Sequence, residues 1–352
     1  GQRRTGKTSL LLQLPLRLDH TLIPVYLDCQ SLGLTPGLAN WLADVAAAIG
    51  DALAERGIQV TLPDSAALRE QPARAFEHQF LREVQAALGE RTLLWVLDEF
   101  EELETRVRSG RLEPTLFPYL RHLMQHTHKL AFAFVGTHRL EEMSRDYWSV
   151  LFNIALYHRI GYLDEEAATR LATEPVRPYG MVLDDLALER IWQVTAGHPY
   201  FLQLLCYALV NAHNRSGRSY TTVADVEGVL EEILTLGSAH FAFLWESSTG
   251  DERAVLLALT QLLARLGQAR WPVAGATPGD VMTLLSERGL DLEHSAVAAA
   301  LRSLTDREIL SEVSSGGDAR AAGQRYVFRV GLVALWVERF KSLSRVMEEM
   351  GR

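Results

Sequence analysis

The chain has 352 residues, of which 35 are basic and 44 are acidic, so its formal net charge is −9. With 48% apolar residues it is long enough and apolar enough for roughly two or three globular domains, which excludes an intrinsically disordered protein. The acidic charge argues against a surface built throughout for nucleic acid, although a single domain can still carry a basic patch.

The two cysteines, Cys29 and Cys206, cannot build a disulfide framework, and a reducing cytoplasm is the simpler expectation. No apolar run approaches the roughly 20 residues that a helix needs to cross a bilayer. We therefore expect a cytoplasmic protein that does not span a membrane.

The chain opens with the pattern G-x-x-x-x-G-K-[ST], followed directly by an apolar helix pattern. In such a loop the glycines let backbone N–H groups converge on phosphate oxygens, and the start of the helix adds a positive dipole end. The ammonium of Lys7 is expected to reach the β- and γ-phosphates, and the Thr8 hydroxyl to bind Mg²⁺. The predicted phosphate-binding residues are Gly1, Gln2, Arg3, Arg4, Thr5, Gly6, Lys7, Thr8 and Ser9.

Lysine is rare in this chain, which strengthens the match. Only Lys7, Lys129 and Lys341 are lysines among the 35 basic residues. A compact ammonium fits between phosphate oxygens where a planar guanidinium is too wide, so chemistry explains the exception at Lys7. Because a phosphate-binding loop follows a buried strand, we also expect residues upstream of Gly1 in a longer parent protein.

Strand and helix patterns alternate after the loop, which predicts a mostly parallel sheet. Continuous apolar runs predict strands buried on both faces, and residues 57–72 carry turn residues. The expected strands are 22–29, 92–97, 130–135 and 154–160, and the expected helices are 41–53, 76–88 and 113–128.

Two adjacent carboxylates, Asp98 and Glu99, close the second predicted strand. Ligands of open α/β sheets bind at the carboxyl ends of strands, so these side chains are expected beside the phosphates. Asp98 would hold Mg²⁺ and Glu99 would orient and polarise the attacking water. The acidic run that follows, Glu101, Glu102 and Glu104, is interpreted as a solvated helix face.

Histidines 122, 126 and 128 lie on the predicted helix 113–128 together with Arg121. No cysteine or carboxylate at metal-ligand spacing joins them, so solvated helix residues are favoured over a metal site. The third strand ends in Thr137-His138-Arg139, polar residues that would face the γ-phosphate.

Beyond residue 163 the pattern changes to helices. Three helices and two short strands around a Gly- and Ala-rich tip then predict a winged-helix domain near the C-terminus. The predicted domains are an α/β core with a parallel sheet (1–163), a helical lid (164–238) and a winged helix (250–343).

These motifs resemble the AAA-type P-loop ATPases, within them the archaeal-type and STAND signal-transduction branch. Thr137-His138-Arg139 is similar to that branch's T-x-R sensor, and Gly197-His198-Pro199 to its G-x-P motif. The resemblance implies that ATP and Mg²⁺ are the cofactors, that Arg139 senses or neutralises the γ-phosphate, and that Pro199 packs against the adenine. Arg121 is a candidate arginine finger for a neighbouring subunit of a homo-oligomer.

The leading hypothesis is a slow ATP hydrolase that acts as a nucleotide-operated switch, with a protein partner for the winged helix. A DNA-binding initiator- or transposition-type ATPase is the second hypothesis, in which Arg302, Arg320 and Arg325 would contact the nucleic acid. A nucleotide-binding scaffold without turnover is the third.

Overall fold

The computed structural model of the protein describes residues 4–137, 156–265, 275–313 and 324–351. The chain divides into two compact units, Gly1–Gly161 and Tyr162–Arg352. Each unit has an apolar core of its own: the core of the first runs from Ile23 to Leu123 and that of the second from Ala168 to Val346.

The first unit alternates strands with helices, as the sequence predicts. A π-helix, Ala75–Leu81, continues directly into α5. The elements in chain order are α1 (Lys7–Arg17), β1 (Leu22–Asp28), α2 (Leu38–Ala54), α3 (Ser65–Glu70), α4 (Pro72–Arg74), the π-helix, α5 (Arg82–Ala87), β2 (Thr92–Asp98), α6 (Glu101–Arg108), α7 (Leu116–His126) and β3 (Leu130–Phe134).

The three strands form a parallel sheet in the order β1-β2-β3, which confirms the first three predicted strands and the parallel arrangement. In register, Asp28 lies opposite Asp98, and Leu97 lies opposite Phe134. Parallel strands present their carboxyl ends at one edge of the sheet, so the residues that follow β2 and β3 are neighbours there.

The predicted burial of β1 on both faces is wrong. Ile23, Val25 and Leu27 are at most 1% exposed, but Tyr26 between them is 42% exposed. β1 is the end strand of the described sheet, and its inward face packs in the same core as α2. The end position also suits Pro24, which has no N–H to donate to a neighbouring strand.

Two further local predictions differ from the structure. The stretch 57–72 contains helix α3, because the Asp64 side chain caps it by accepting hydrogen bonds from the N–H groups of Ala66 (3.1 Å) and Ala67 (2.9 Å). Residues 156–160, the described part of the predicted strand 154–160, form no strand. The apolar residues of this segment match the sequence pattern of a strand, but the segment pairs with no strand of the described sheet.

The second unit is mainly helical. Among its described residues the strands are short and form two separate two-stranded sheets, β4 with β5 and β6 with β7. The elements in chain order are α8 (Glu165–Thr173), a 3-10 turn (Arg177–Tyr179), β4 (Val182–Leu183), α9 (Asp185–Thr195), α10 (Pro199–Ser216), β5 (Tyr220–Thr221), α11 (Val223–Leu236), α12 (Ser238–Glu246), α13 (Gly250–Arg265), α14 (Pro278–Glu287), α15 (His294–Asp306), β6 (Leu310–Val313), β7 (Arg325–Phe328), α16 (Gly331–Phe340) and α17 (Leu343–Glu349).

The elements predicted for the C-terminal part are present. Helices α13, α14 and α15 precede an antiparallel pair, β6 and β7, in which Leu310 lies opposite Phe328. The tip that joins these strands, residues 314–323, lies outside the described residues. A single apolar core includes side chains from α9 and from α16, and the division of this unit at residues 238–250 stays a prediction. Among the described helices, none combines the length and the apolar character needed to cross a membrane.

A tight turn joins α9 to α10 at the predicted Gly197-His198-Pro199 motif. Ala196 and Gly197 both adopt left-handed backbone conformations, with φ of 47° and 70°, and Pro199 occupies the first turn of α10. The Gly197 carbonyl accepts a hydrogen bond from the Leu163 N–H (3.0 Å). A Cβ on Gly197 would overlap the Leu163 carbonyl and lie 2.8 Å from the Trp192 ring, so only glycine fits.

Gly197→Ala is therefore expected to destabilise the second unit. The left-handed backbone costs an alanine about 1 to 2 kcal/mol, and the overlap with Leu163 and Trp192 adds about 1 to 3 kcal/mol. Gly217→Ala is the matched control, because Gly217 has a φ of 67° but a Cβ there would meet nothing within 4 Å. Urea unfolding should show the larger loss of stability for Gly197→Ala, and equal losses would contradict the packing argument.

Candidate nucleotide-binding site

The described part of the predicted phosphate-binding loop starts at Arg4 and leads into α1. Gly6 precedes the helix in a left-handed conformation (φ 89°), which glycine adopts without a steric penalty. Thr5 and Lys7 are buried, with 3% and 6% exposure. Gly1, Gln2 and Arg3 lie outside the described residues. The N–H groups at the start of α1 and the Lys7 ammonium thus lie at one helix terminus, where anions bind favourably.

Asp98 lies at the end of β2 and is 2% exposed. Its Oδ2 atom accepts hydrogen bonds from the Thr8 hydroxyl (2.9 Å) and from the Tyr26 hydroxyl (2.8 Å). Its Oδ1 atom accepts one from the N–H of Glu99 (3.0 Å). Three hydrogen bonds hold this buried carboxylate in one orientation, directly beside the start of α1.

Thr8 and Asp98, the two predicted magnesium ligands, are thus in contact with each other. Their hydroxyl and carboxylate oxygens are the donors that Mg²⁺ prefers, so the residues present fit this ion. Burial raises the pKa of the Tyr26 phenol, and its hydrogen bond to Asp98 raises the pKa further. Tyr26 therefore keeps its proton and acts as a donor to Asp98.

Glu99 follows Asp98 in a left-handed backbone conformation with a φ of 49°. The backbone of any residue other than glycine is strained in this region, and such strain is concentrated at functional sites. Burial raises the pKa of Glu99, the nearby Glu101 carboxyl raises it further, and the charge of Lys7 acts in the opposite direction.

Glu101 and Glu104 do not form the solvated helix face that the acidic run predicts. Glu101 is partly buried and accepts hydrogen bonds from the N–H (2.9 Å) and the hydroxyl (2.5 Å) of Thr137. Burial alone would raise the pKa of Glu101, but these hydrogen bonds outweigh it and the pKa is lowered. Glu104 is 6% exposed and pairs with Arg108 one helical turn away. Of these three residues, Glu102 comes nearest to the predicted solvated position, with a side chain that is 35% exposed.

The end of β3 contributes Thr137 to this part of the sheet edge. His138 and Arg139, which complete the predicted sensor motif, lie outside the described residues. Arg121 is half-buried on α7, and its role as an arginine finger stays a prediction. Pro199 lies in the second unit at the start of α10, and its predicted adenine contact also stays a prediction.

The histidines of α7 pack among themselves and against an acidic neighbour. His122 Nε2 lies 3.3 Å from Glu77 Oε2, and the rings of His122 and His126 are 4.9 Å apart between centroids. No group of three or more His, Cys, Asp or Glu side chains in the described ranges is arranged to hold a metal ion.

Tyr26 and Glu101 are the two site residues that the sequence-based reasoning missed. Tyr26 is the one residue of an otherwise apolar strand with a hydroxyl group, and this feature could have indicated a hydrogen-bonding role. Glu101 had no such signal, because three acidic residues follow Glu99 closely and spacing alone does not say which of them turns inward.

Together, the parallel sheet, the loop at the start of α1 and the carboxylates at the end of β2 define a P-loop NTPase-like α/β domain. Residues 1–144 match the family model described as an AAA domain. That segment contains the loop, all three strands of the sheet and Asp98. No curated protein matches the sequence of this chain.

Two solved structures show the same fold. A Walker-type ATPase of Pyrococcus abyssi is 16% identical with a TM-score of 0.59, and the similarity covers 96% of this chain and 89% of that chain. The ORC2 protein of Aeropyrum pernix, solved in ADPNP–ADP complexes, is 14% identical with a TM-score of 0.55, covering 100% of this chain and 87% of that chain. At these identities the likeness concerns the fold alone.

Proposed function

We propose that the protein is an ATP-binding, Mg²⁺-dependent ATPase that acts as a nucleotide-operated conformational switch in signalling or defence. One observation carries the proposal: Thr8 at the start of α1 hydrogen-bonds to Asp98 at the end of β2. This hydrogen bond brings together two motifs that are 90 residues apart in the sequence, which supports a single site. Two structural relatives add support, since one is described as a Walker-type ATPase and the other holds ADPNP and ADP.

Each residue has a distinct role in this proposal. The loop N–H groups and Lys7 bind the phosphates, and Thr8 and Asp98 would hold Mg²⁺, which when bound neutralises charge on the phosphate oxygens. Glu99 orients the attacking water and accepts its proton. Tyr26 keeps Asp98 in place through their hydrogen bond. Arg139 and Pro199 are assigned to the γ-phosphate and the adenine by the resemblance to the STAND branch.

The γ-phosphate distinguishes ATP from ADP, so a nucleotide-operated switch must respond to it. A ligand shifts a conformational equilibrium only as far as it interacts differently with the two states, and ATP and ADP differ at the γ-phosphate. Thr137 at the end of β3 is part of the predicted sensor motif, so loss of the γ-phosphate is expected to act there first. We assign the C-terminal elements from α13 to α16 to a winged helix that contacts a protein partner.

Hydrogen exchange tests the switch directly. We expect amide protection near Thr137 and in α9 and α10 to differ between the ADP state and a non-hydrolysable ATP analogue, both with Mg²⁺. Chelation of Mg²⁺ by EDTA should remove most of that difference, because the nucleotide then loses its metal contact with Thr8 and Asp98. Identical protection patterns in the two nucleotide states would contradict a switch.

DNA binding through the winged helix is the second candidate function. The surface of α15 gives it little support, because one arginine and one aspartate are its exposed charged residues among those described. The exposed residues of α15 are His294, Ser295, Ala299, Arg302 and Asp306. Arg325 donates a hydrogen bond to the Gly275 carbonyl (2.8 Å), and Arg320 lies outside the described residues. Affinity that falls steeply as salt rises would favour this candidate over a protein contact.

A further inference from the structure

Glu101 lies between the two strand ends that form the proposed site. It begins α6 three residues after Asp98, yet both of its hydrogen bonds to Thr137 reach across to the end of β3. The backbones of the two strands are already joined nearby, because the Phe100 N–H donates to the Val135 carbonyl (3.1 Å). Glu101 extends this connection beyond the last strand residues, where the sheet itself no longer aligns them.

The backbone at Gly136 is shaped around the Glu101 side chain. A Cβ on Gly136 would overlap Glu101 Oε2 and would lie 2.9 Å from the ring of Phe100. Such contacts do not occur between real Cβ atoms and side chains, so any residue larger than glycine would displace Glu101. The space left by the missing side chain at Gly136 is thus a second, independent observation that supports the contact between Glu101 and Thr137.

Glu101 also lies two positions along the chain from Glu99, the residue proposed to activate water. The Glu102 N–H donates a hydrogen bond to the Glu99 carbonyl (2.9 Å), so the backbone turn that carries Glu99 leads directly into α6. The Glu101 side chain therefore joins this turn, at the end of β2, to Thr137 at the end of β3. By contrast, Glu102 in the same helical turn extends toward Arg106, 3.6 Å away.

We propose that Glu101 is a positioning residue for ATP hydrolysis, which joins the segment that carries Glu99 to Thr137 and so fixes that segment against the strand end beside the γ-phosphate. This inference rests on the function proposed above. Its physical basis is that displacement of a catalytic group by about 1 Å can cost roughly 100-fold in rate, even when the displaced residue still binds. The join depends on hydrogen-bond acceptance by Glu101 rather than on its charge, since both Thr137 donors meet the same oxygen, Oε1.

The test compares steady-state ATP hydrolysis of variants at position 101 in the full chain with Mg²⁺. Glu101→Ala should lower kcat by about 10- to 100-fold and leave KM for ATP within about threefold. Glu101→Gln keeps the Oε1 acceptor and should stay within about threefold of the wild-type kcat. This rescue by a conservative variant distinguishes positioning from a need for negative charge.

Variants at the other end of the join should behave in parallel. Thr137→Val removes the hydroxyl donor but keeps the N–H donor, so a loss of about two- to tenfold in kcat is expected. Gly136→Ala leaves Glu101 intact but pushes it aside, and should resemble Glu101→Ala. Glu102→Ala is the matched control, because Glu102 occupies the same first turn of α6 and its removal changes the helix-end charge equally.

The outcomes separate this inference from the proposed function. Wild-type kcat in both Glu101→Ala and Glu102→Ala, or a Glu101→Gln as slow as Glu101→Ala, overturns the positioning role alone. If wild-type protein shows no hydrolysis above the Lys7→Ala background, the proposed function fails and the inference fails with it. Thermal unfolding will show whether Glu101→Ala is folded. If it is not, the positioning role is supported by an active Glu101→Gln together with a lower kcat in Thr137→Val. A wild-type kcat in Thr137→Val contradicts the role.

Discussion

Lys7→Ala is expected to weaken ATP binding by about 100-fold and to abolish measurable hydrolysis. Lys7 is 6% exposed at the start of α1, so water has little access to replace its ammonium as a partner for phosphate oxygens. A hydrogen bond between charged groups contributes about 1.5 to 3 kcal/mol, and about 1.4 kcal/mol corresponds to a tenfold change in affinity. Titration of the protein with a fluorescent ATP analogue in Mg²⁺ measures the loss.

The scarcity of lysine in this chain provides a matched control for that experiment. Lys129→Ala removes an exposed lysine of the same unit, whose ammonium donates a hydrogen bond to the Gly89 carbonyl, and should leave ATP affinity unchanged. Lys7→Ala is expected to stay folded, because the variant no longer has to bury the charged ammonium group. Equal ATP affinity in Lys7→Ala and the wild type would remove the basis for a phosphate site at this loop.

Glu99→Gln is expected to keep ATP binding and to lower kcat by about 100- to 10,000-fold, the range that a general base contributes. The substitution preserves the size and shape of the side chain. What it removes is the ability to accept a proton from the attacking water. Binding and single-turnover hydrolysis measured on the same preparation separate the two effects.

The same pair of measurements decides between an ATPase and a scaffold. A scaffold should bind ATP and show no turnover in either the wild type or Glu99→Gln. Glu102→Gln is the control, since it replaces an acidic residue in the same acidic run whose side chain is 35% exposed. A Glu99→Gln variant that hydrolyses ATP at the wild-type rate would exclude Glu99 as the general base.

Local patterns predicted most of the secondary structure of the first unit. The strands at β1, β2 and β3 and their parallel pairing follow from short apolar runs separated by helical periodicity. The same rule failed at residues 156–160, because an apolar run becomes a strand only where a neighbouring strand supplies hydrogen bonds. It also failed for the burial of Tyr26, whose exposure depends on the position of β1 at the end of the described sheet.

The candidate site divides in a similar way. The loop around Lys7 and the pair Asp98–Glu99 are recognisable in the sequence because each motif consists of a few consecutive residues. Tyr26 and Glu101 act across the sheet on partners 72 and 36 residues away. Such a contact leaves no pattern in a single sequence, since many spacings along the chain can bring two side chains together.

By itself, then, the amino-acid order predicted which residues would bind phosphate and magnesium, and it determined that a parallel sheet lies behind them. Only the tertiary structure decided that Thr8 meets Asp98, that Tyr26 holds the same carboxylate, and that Glu101 turns inward to Thr137 while Glu102 stays partly exposed. The reason is physical: propensity and periodicity are properties of neighbouring residues, whereas burial and hydrogen-bond partners arise when distant strands pack side by side.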